Sequence, residues 1–301
     1  MTIRIPRSKV FYAFSPHLTP VAHARQNEPI IFETNDCFEG QVRKPEDMLG
    51  ELDWSHINPA TGPVYIEDVT PGDILKVEIT NIVVDDQAVV VCMPDSGAIG
   101  DLIQQAEAVI MPIHAGEAIY KNRVKIPIDP MIGVIGVAPA TEEIPTGAPD
   151  YHGGNMDCTA IRKGVSLYLT AGVEGALLGC GDLHAVMGDG EIIVTGAETN
   201  GEVHVKVSVV EMKGLPTPFL EDERMIATLY SAPTIDEASD GAIHRMARFL
   251  SEFVGLSIND TGMLMSLVGE LKFCQVVDPK RTVRFEFPKQ VLADYGYVFG
   301  R

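Results

Sequence analysis

Glu202 to Met212, EVHVKVSVVEM, alternates strictly between apolar and polar residues and places Val203, Val205, Val207 and Val209 on one face. A period of two is that of a β-strand with one buried side, which leaves His204 on the other. Toward the amino terminus, ILKVEITNIVV (Ile74 to Val84) is a second such run, and it opens after the turn signal TPGD. From Ile3 to about Val210 the chain is a succession of short β-branched and apolar runs broken by Gly, Pro, Asn and Asp. That pattern predicts a mainly β body, a sandwich or a barrel-like sheet. Asp95 to Tyr120 is rich in small residues and reads as a loop with one helical turn, and Thr141 to Asn155 as a long Gly/Pro connection.

Beyond Pro233 the period changes to that of a helix. Thr234 or Asp236 can cap it, Ala242, Met246, Phe249, Leu250 and Phe253 form its apolar face, and Gly255 stops it. A second short helix is expected from Asn259 or Asp260. Strands follow at Leu271 to Val277 and Thr282 to Phe287, and Pro288 opens a last short helix. The expected organisation is a β-rich body over 1–230 that carries most of the active site, with an α+β unit over 231–301 packed on it. No tandem repeat of 20 to 50 residues appears, which excludes propellers and solenoids.

The 301 residues carry a formal charge of −19, from 42 acidic and 23 basic side chains. Such a chain repels phosphate backbones and anionic lipid, so nucleic acid and membrane are excluded as expected partners. The amino terminus, MTIRIPRSKVFYAF, lacks the apolar run of a signal peptide, and no stretch reaches the length of a membrane span. Five cysteines without a CxxC pair suit a reducing cytoplasm better than an oxidising compartment.

Chemistry concentrates in three segments. GCGDLHAVMGDGE (Gly179 to Glu191) sets Asp182 two residues from His184, on one face of a strand, and repeats the spacing at Asp189 and Glu191. GGNMDC (Gly153 to Cys158) offers Asn155 and Asp157, and NDCFEGQ (Asn35 to Gln41) offers Asp36, Glu39 and Gln41. One imidazole among carboxylates suits zinc, manganese or another divalent ion, whereas a carboxylate-only subset suits calcium. Each segment also has a plain structural reading, since Asp-Gly and Gly-Asp pairs are ordinary turn formers. Cys37, flanked by acidic groups that raise its pKa, is a poor nucleophile. No GxSxG, Walker, HExxH or GxGxxG motif occurs.

NDCFEGQ, GGNMDC and above all GALLGCGDLHAVMGDGEI resemble the acetamidase/formamidase family, and LSIND and LKFCQVVD extend the likeness into the C-terminal segment. The resemblance implies hydrolysis of a short aliphatic amide to ammonia and a carboxylate by an oligomeric cytoplasmic enzyme. It places Asp36, Asn155, Asp157, Asp182, His184, Asp189 and Glu191 around the site. The expected metal-holding set is Asp36, Asp157, Asp182 and His184, with Asp182 either a ligand or the group that orients His184. Zinc is the first expectation for the metal and calcium the alternative. Glu191 is the expected proton shuttle, with Asp189 and Asn155 beside it in the catalytic group, and Glu198 a supporting residue. The rival reading is a noncatalytic β-rich protein that binds a small molecule or calcium.

Overall fold

The computed structural model describes residues 2–47 and 49–300. Its strands gather in two large open sheets, one of nine and one of eleven strands, so the body is a sandwich and not a closed barrel. The nine-stranded sheet runs in the order Ile3–Ile5, Ile30–Thr34, Gly201–Val210, Ile74–Val84, Ser166–Thr170, Phe219–Glu221, Met225–Ala232, Arg281–Pro288, Glu270–Gln275. The alternating stretch lies well inside it, antiparallel to both Ile30–Thr34 and Ile74–Val84, as a strand with a buried face requires. Val203, Val205 and Val207 are buried, whereas His204 stays outward with its Nε2 3.0 Å from Glu202.

One core cluster draws Phe32, Val77, Leu167 and Val203 from this sheet and Ile132, Ile135, Leu178 and Leu183 from the other. Each fully buried side chain of that size contributes roughly 1.5–3 kcal/mol, so the interface between the sheets is the main stabilising layer. In the eleven-stranded sheet, Leu178–His184 is buried along its whole length. It pairs with Met131–Gly136 on one side, and with Ala60–Ile66 and Glu198–Thr199 on the other.

The segment 95–120 departs from the expected loop. A 3-10 turn at Gly100–Leu102 is followed by strands Glu107–His114 and Glu117–Tyr120, joined through Ala115 and Gly116, and Val124–Pro127 adds a third. Burial of Ala108, Met111 and Ile113 overrides the weak alternation of that stretch.

Helix α1 spans Ile235–Glu252, with Thr234 and Glu237 forming a reciprocal cap. Ala242, Met246, Phe249 and Leu250 bury its apolar face in a second core cluster beside the nine-stranded sheet. Helix α2 (Ile258–Val268) starts one or two residues before the expected position and is capped by Ser257, and α3 (Lys289–Asp294) follows Pro288. The three C-terminal strands do not form a sheet of their own; they extend the nine-stranded one. No helix among the described residues is long and apolar enough to cross a membrane.

Candidate active site

Alternation along Leu178–His184 sends Asp182 and His184 toward the same point, although Asp182 sits in the left-handed region at φ 55° and is skipped in the pairing with Met131–Gly136. His184 Nε2 lies 3.1 Å from Glu198 Oε1, 3.6 Å from Asp182 Oδ1, 3.9 Å from Asp157 Oδ1 and 4.0 Å from Glu191 Oε1. Four carboxylates therefore surround one nitrogen, and that nitrogen makes a hydrogen bond to none of them. Asp157 and Glu191 also carry positive φ, 41° and 47°. Left-handed backbone at a non-glycine residue costs of order 1–3 kcal/mol, so three of the four acids are held by the surrounding fold in conformations they would not adopt alone.

Room for these groups comes from two glycines. A Cβ on Gly133 would collide with Asp182 Oδ2 and Asp157 Oδ1, and one on Gly196 would come within 2.6 Å of His184 Nδ1. Glu198 arrives from the neighbouring strand, paired directly with His184. Glu191 arrives from the loop 186–197, which is pinned to the C-terminal strands where the Gly190 N–H donates to the Cys274 carbonyl and the Val276 N–H donates to the Gly190 carbonyl. The same connection brings in Asp278, whose Oδ2 accepts a 2.9 Å hydrogen bond from Asn155 Nδ2.

The electrostatics follow from crowding. Burial, reinforced by Asp278 and Asp182, pushes the Asp157 carboxyl well above its ordinary range. Burial and Asp157 do the same to Glu191, and burial and Glu191 to Asp278. Glu198 is pushed up to about 8 by burial, with the imidazole of His184 opposing the shift. Burial alone would lower His184, but Glu198 and Asp182 outweigh it and hold the ring well above its usual value. Full ionisation of these carboxyls is opposed by burial and mutual repulsion, with the His184 imidazole a positive group set against them.

Of the residues singled out in the sequence, Asp157, Asp182, His184, Glu191 and the supporting Glu198 meet in one place, and Asn155 joins them through Asp278. Asp36 is buried nearby: its Oδ1 accepts N–H groups from Phe38 and Gly40 at 3.0 Å each, and Asp182 raises its pKa further on top of burial. Asp189 turns away from the imidazole. Its two oxygens grip the Arg284 guanidinium at 2.8 and 2.7 Å, and Oδ1 also accepts from Thr159. Glu39, at the amino-terminal motif, accepts from Tyr12 instead of entering the cluster.

Asp278 escaped the sequence reading. Its only signal is a buried Gln275 whose Oε1 accepts the Val277 and Asp278 N–H groups and so fixes the turn before Pro279. Cys37 stands close to Asp182 and Glu198, but burial and those two carboxylates hold its thiol well above its usual value, which removes it as a thiolate nucleophile.

The family profile described as Acetamidase/Formamidase family matches residues 6–147 and 140–275. An acetamidase from Bacillus halodurans superposes with a TM-score of 0.96 at 39% identity, over 98% of this chain and 100% of that one. A recombinant predicted acetamidase/formamidase from Thermoanaerobacter tengcongensis gives the same TM-score of 0.96 and 39% identity, over 99% of each chain. The formamidase of Methylophilus methylotrophus is 22% identical over 291 residues, 74% of this chain and 72% of its own. With the profile matched over nearly the whole chain, this protein belongs to the acetamidase/formamidase family of amidases.

Proposed function

We propose that the protein hydrolyses a short aliphatic amide, of the formamide or acetamide type, to ammonia and a carboxylate, with a divalent ion activating the water. One observation carries the metal: Asp157 Oδ1 and Oδ2, Asp182 Oδ1, Glu198 Oε2 and both nitrogens of His184 are buried without a hydrogen-bond partner. Unpartnered buried polar atoms of like charge are costly unless a ligand satisfies them. Ligand atoms of Asp157, His184 and Glu191 lie within 4.8 Å of one another, as do those of Cys37, Asp182 and Glu198. Mixed nitrogen and oxygen donors fit zinc, and an oxygen-only subset fits calcium.

In this reading Asp157, Asp182 and His184 would hold the ion, with Glu198 against the imidazole and Asp36 beside Asp182. A divalent ion bound there would supply water activation, lowering the pKa of a water from ~15.7 to about 7. Glu191, which lines a cavity at the edge of the cluster, takes the proton from the attacking water and delivers it to the departing nitrogen. Asn155 orients Asp278 behind that carboxylate, and the Asp189–Arg284 pair fixes the loop from which Glu191 projects. Residence in a reducing cytoplasm and assembly as a homo-oligomer belong to the same reading. Five unpaired cysteines support the first. Exposed Leu267, Leu271 and Phe273, beside the last strand of the nine-stranded sheet, are what a subunit contact would cover.

The test is ammonia release from formamide and acetamide by the protein as isolated, after chelation, and after addition of zinc or calcium. Turnover should vanish with the metal and return with it. Full turnover at negligible metal content removes the metal from the reading, and no ammonia from any amide removes the amidase.

A further inference from the structure

Two cavities flank the cluster, and their chemistry differs. On the Asp36 and Glu198 side is a space of about 200 Å³ whose lining includes Asp85, Asp86, Arg43 and Asn200. Bringing an apolar group in would take those charged groups out of water, so it would gain nothing by entering. On the Glu191 side is a space of about 360 Å³, walled by Met111, Tyr120 and Ile126 from the three-stranded segment 107–127 and by Val186, Met187 and Ile192 from the loop 186–197. Gly196, the residue packed on the His184 ring, and Glu191 also line it. Glu191 is the residue of the carboxylate cluster that lines this cavity, so an acyl chain lying in it would bring its carbonyl carbon toward that side of the cluster.

We propose that the cavity of about 360 Å³ between the segment 107–127 and the loop 186–197 is the acyl-chain pocket, and that the preferred substrate is a primary amide with an apolar chain of several carbons. The proposal rests on the amidase reading and moves its preferred substrate from formamide or acetamide to a longer acyl chain. Formamide has no acyl carbon beyond the carbonyl and acetamide has one methyl, so neither would use these six side chains. Each methylene added and buried here should raise kcat/KM about fourfold, the effect of removing one CH2 from water.

The experiment is ammonia release from formamide, acetamide, butanamide and hexanamide, first with the metal-supplemented native protein and then with Ile126→Trp and Met187→Trp, each of which fills the cavity from one wall. The expected result is a rise in kcat/KM along the series, with the hexanamide-to-acetamide ratio reduced at least tenfold in both variants. Circular dichroism confirms that each variant is folded, and where one is not, the other and the native series decide. A series that is flat or falls with chain length overturns the proposal and leaves the amidase intact. A rising series that neither folded variant alters also overturns it, because the chain then binds elsewhere. A flat series in which Ile126→Trp changes the molecular mass in solution assigns the cavity to a subunit contact instead. Absence of ammonia from all four amides overturns the amidase reading itself.

Discussion

Glu191 joins a left-handed backbone, nearly complete burial and a position at the edge of a cavity. Its carboxylate contributes little to stability, since burial and Asp157 raise its pKa and the His184 imidazole, 4.0 Å away, opposes them only in part. Glu191→Gln should therefore lower kcat by about 10²-fold or more while leaving the thermal midpoint unchanged or raised. Steady-state ammonia release beside a melting curve tests this, and a variant that keeps half of native turnover removes Glu191 from proton transfer. His152 makes a prediction of a different kind. It is buried between Phe14 and Gly154 with neither ring nitrogen bonded, and burial pushes its pKa from 6.5 down to about 4. Below pH 6.5 the unfolded chain takes up a proton that the folded chain refuses until about pH 4. Its contribution is thus full above the unfolded value and is lost, to about 3 kcal/mol, as pH falls through that window. His152→Leu should raise the melting temperature at pH 4.5 relative to that at pH 7, and an unchanged difference contradicts this account.

The strand Met131–Gly136 makes the cluster possible by what it omits. Gly133 leaves the space in which the Asp157 and Asp182 carboxylates approach each other, so Gly133→Ala should abolish metal retention and activity while the sheet still forms. Metal analysis after dialysis, with circular dichroism, separates these effects, and native metal content in the variant would show that the space is not needed. This element also marks where the sequence stops being readable. The two-residue spacing of Asp182 and His184 was legible because strand alternation is local, and the capped apolar face of α1 was legible for the same reason. Asp278 was not, because an Asp-Pro pair after a strand reads as a turn, and only the bridge from Gly190 to Gln275 carries it to Glu191. Glu198 was legible only as a supporting residue, because Gly196 leaves its face open and its placement against His184 depends on the strand partner. The hairpin within 95–120 was misread because its alternation is blurred by small residues, while burial against loop 186–197 and the neighbouring strand decided its form. Composition alone could have supported a calcium module equally well; the glycine-aspartate-histidine block singled out the family.

At the scale of the whole molecule, an excess of acidic groups is tolerable on a hydrated surface but not inside, where Asp36, Asp157, Asp182, Glu191, Glu198 and Asp278 are all buried. Without a cation, folding forces some of these carboxyls to keep protons that the unfolded chain releases. Glu198, raised from 4.5 to about 8, fixes the sign: its contribution is intact below pH 4.5 and declines as pH rises through 8. Metal-stripped protein should therefore melt at a lower temperature at pH 8 than at pH 5. An ion that binds only the folded state adds RT ln(1 + [L]/Kd), about 2.7 kcal/mol at a hundredfold excess over Kd, and it favours the ionised carboxylates. Zinc or calcium should then raise the melting temperature more at pH 8 than at pH 5 and flatten the decline. Melting curves at both pH values, with and without each ion, distinguish an internal metal site from a merely acidic interior. Equal stability at the two pH values, together with no thermal shift from either ion, would mean that the buried acids are satisfied by one another and that the hydrolysis runs without a metal.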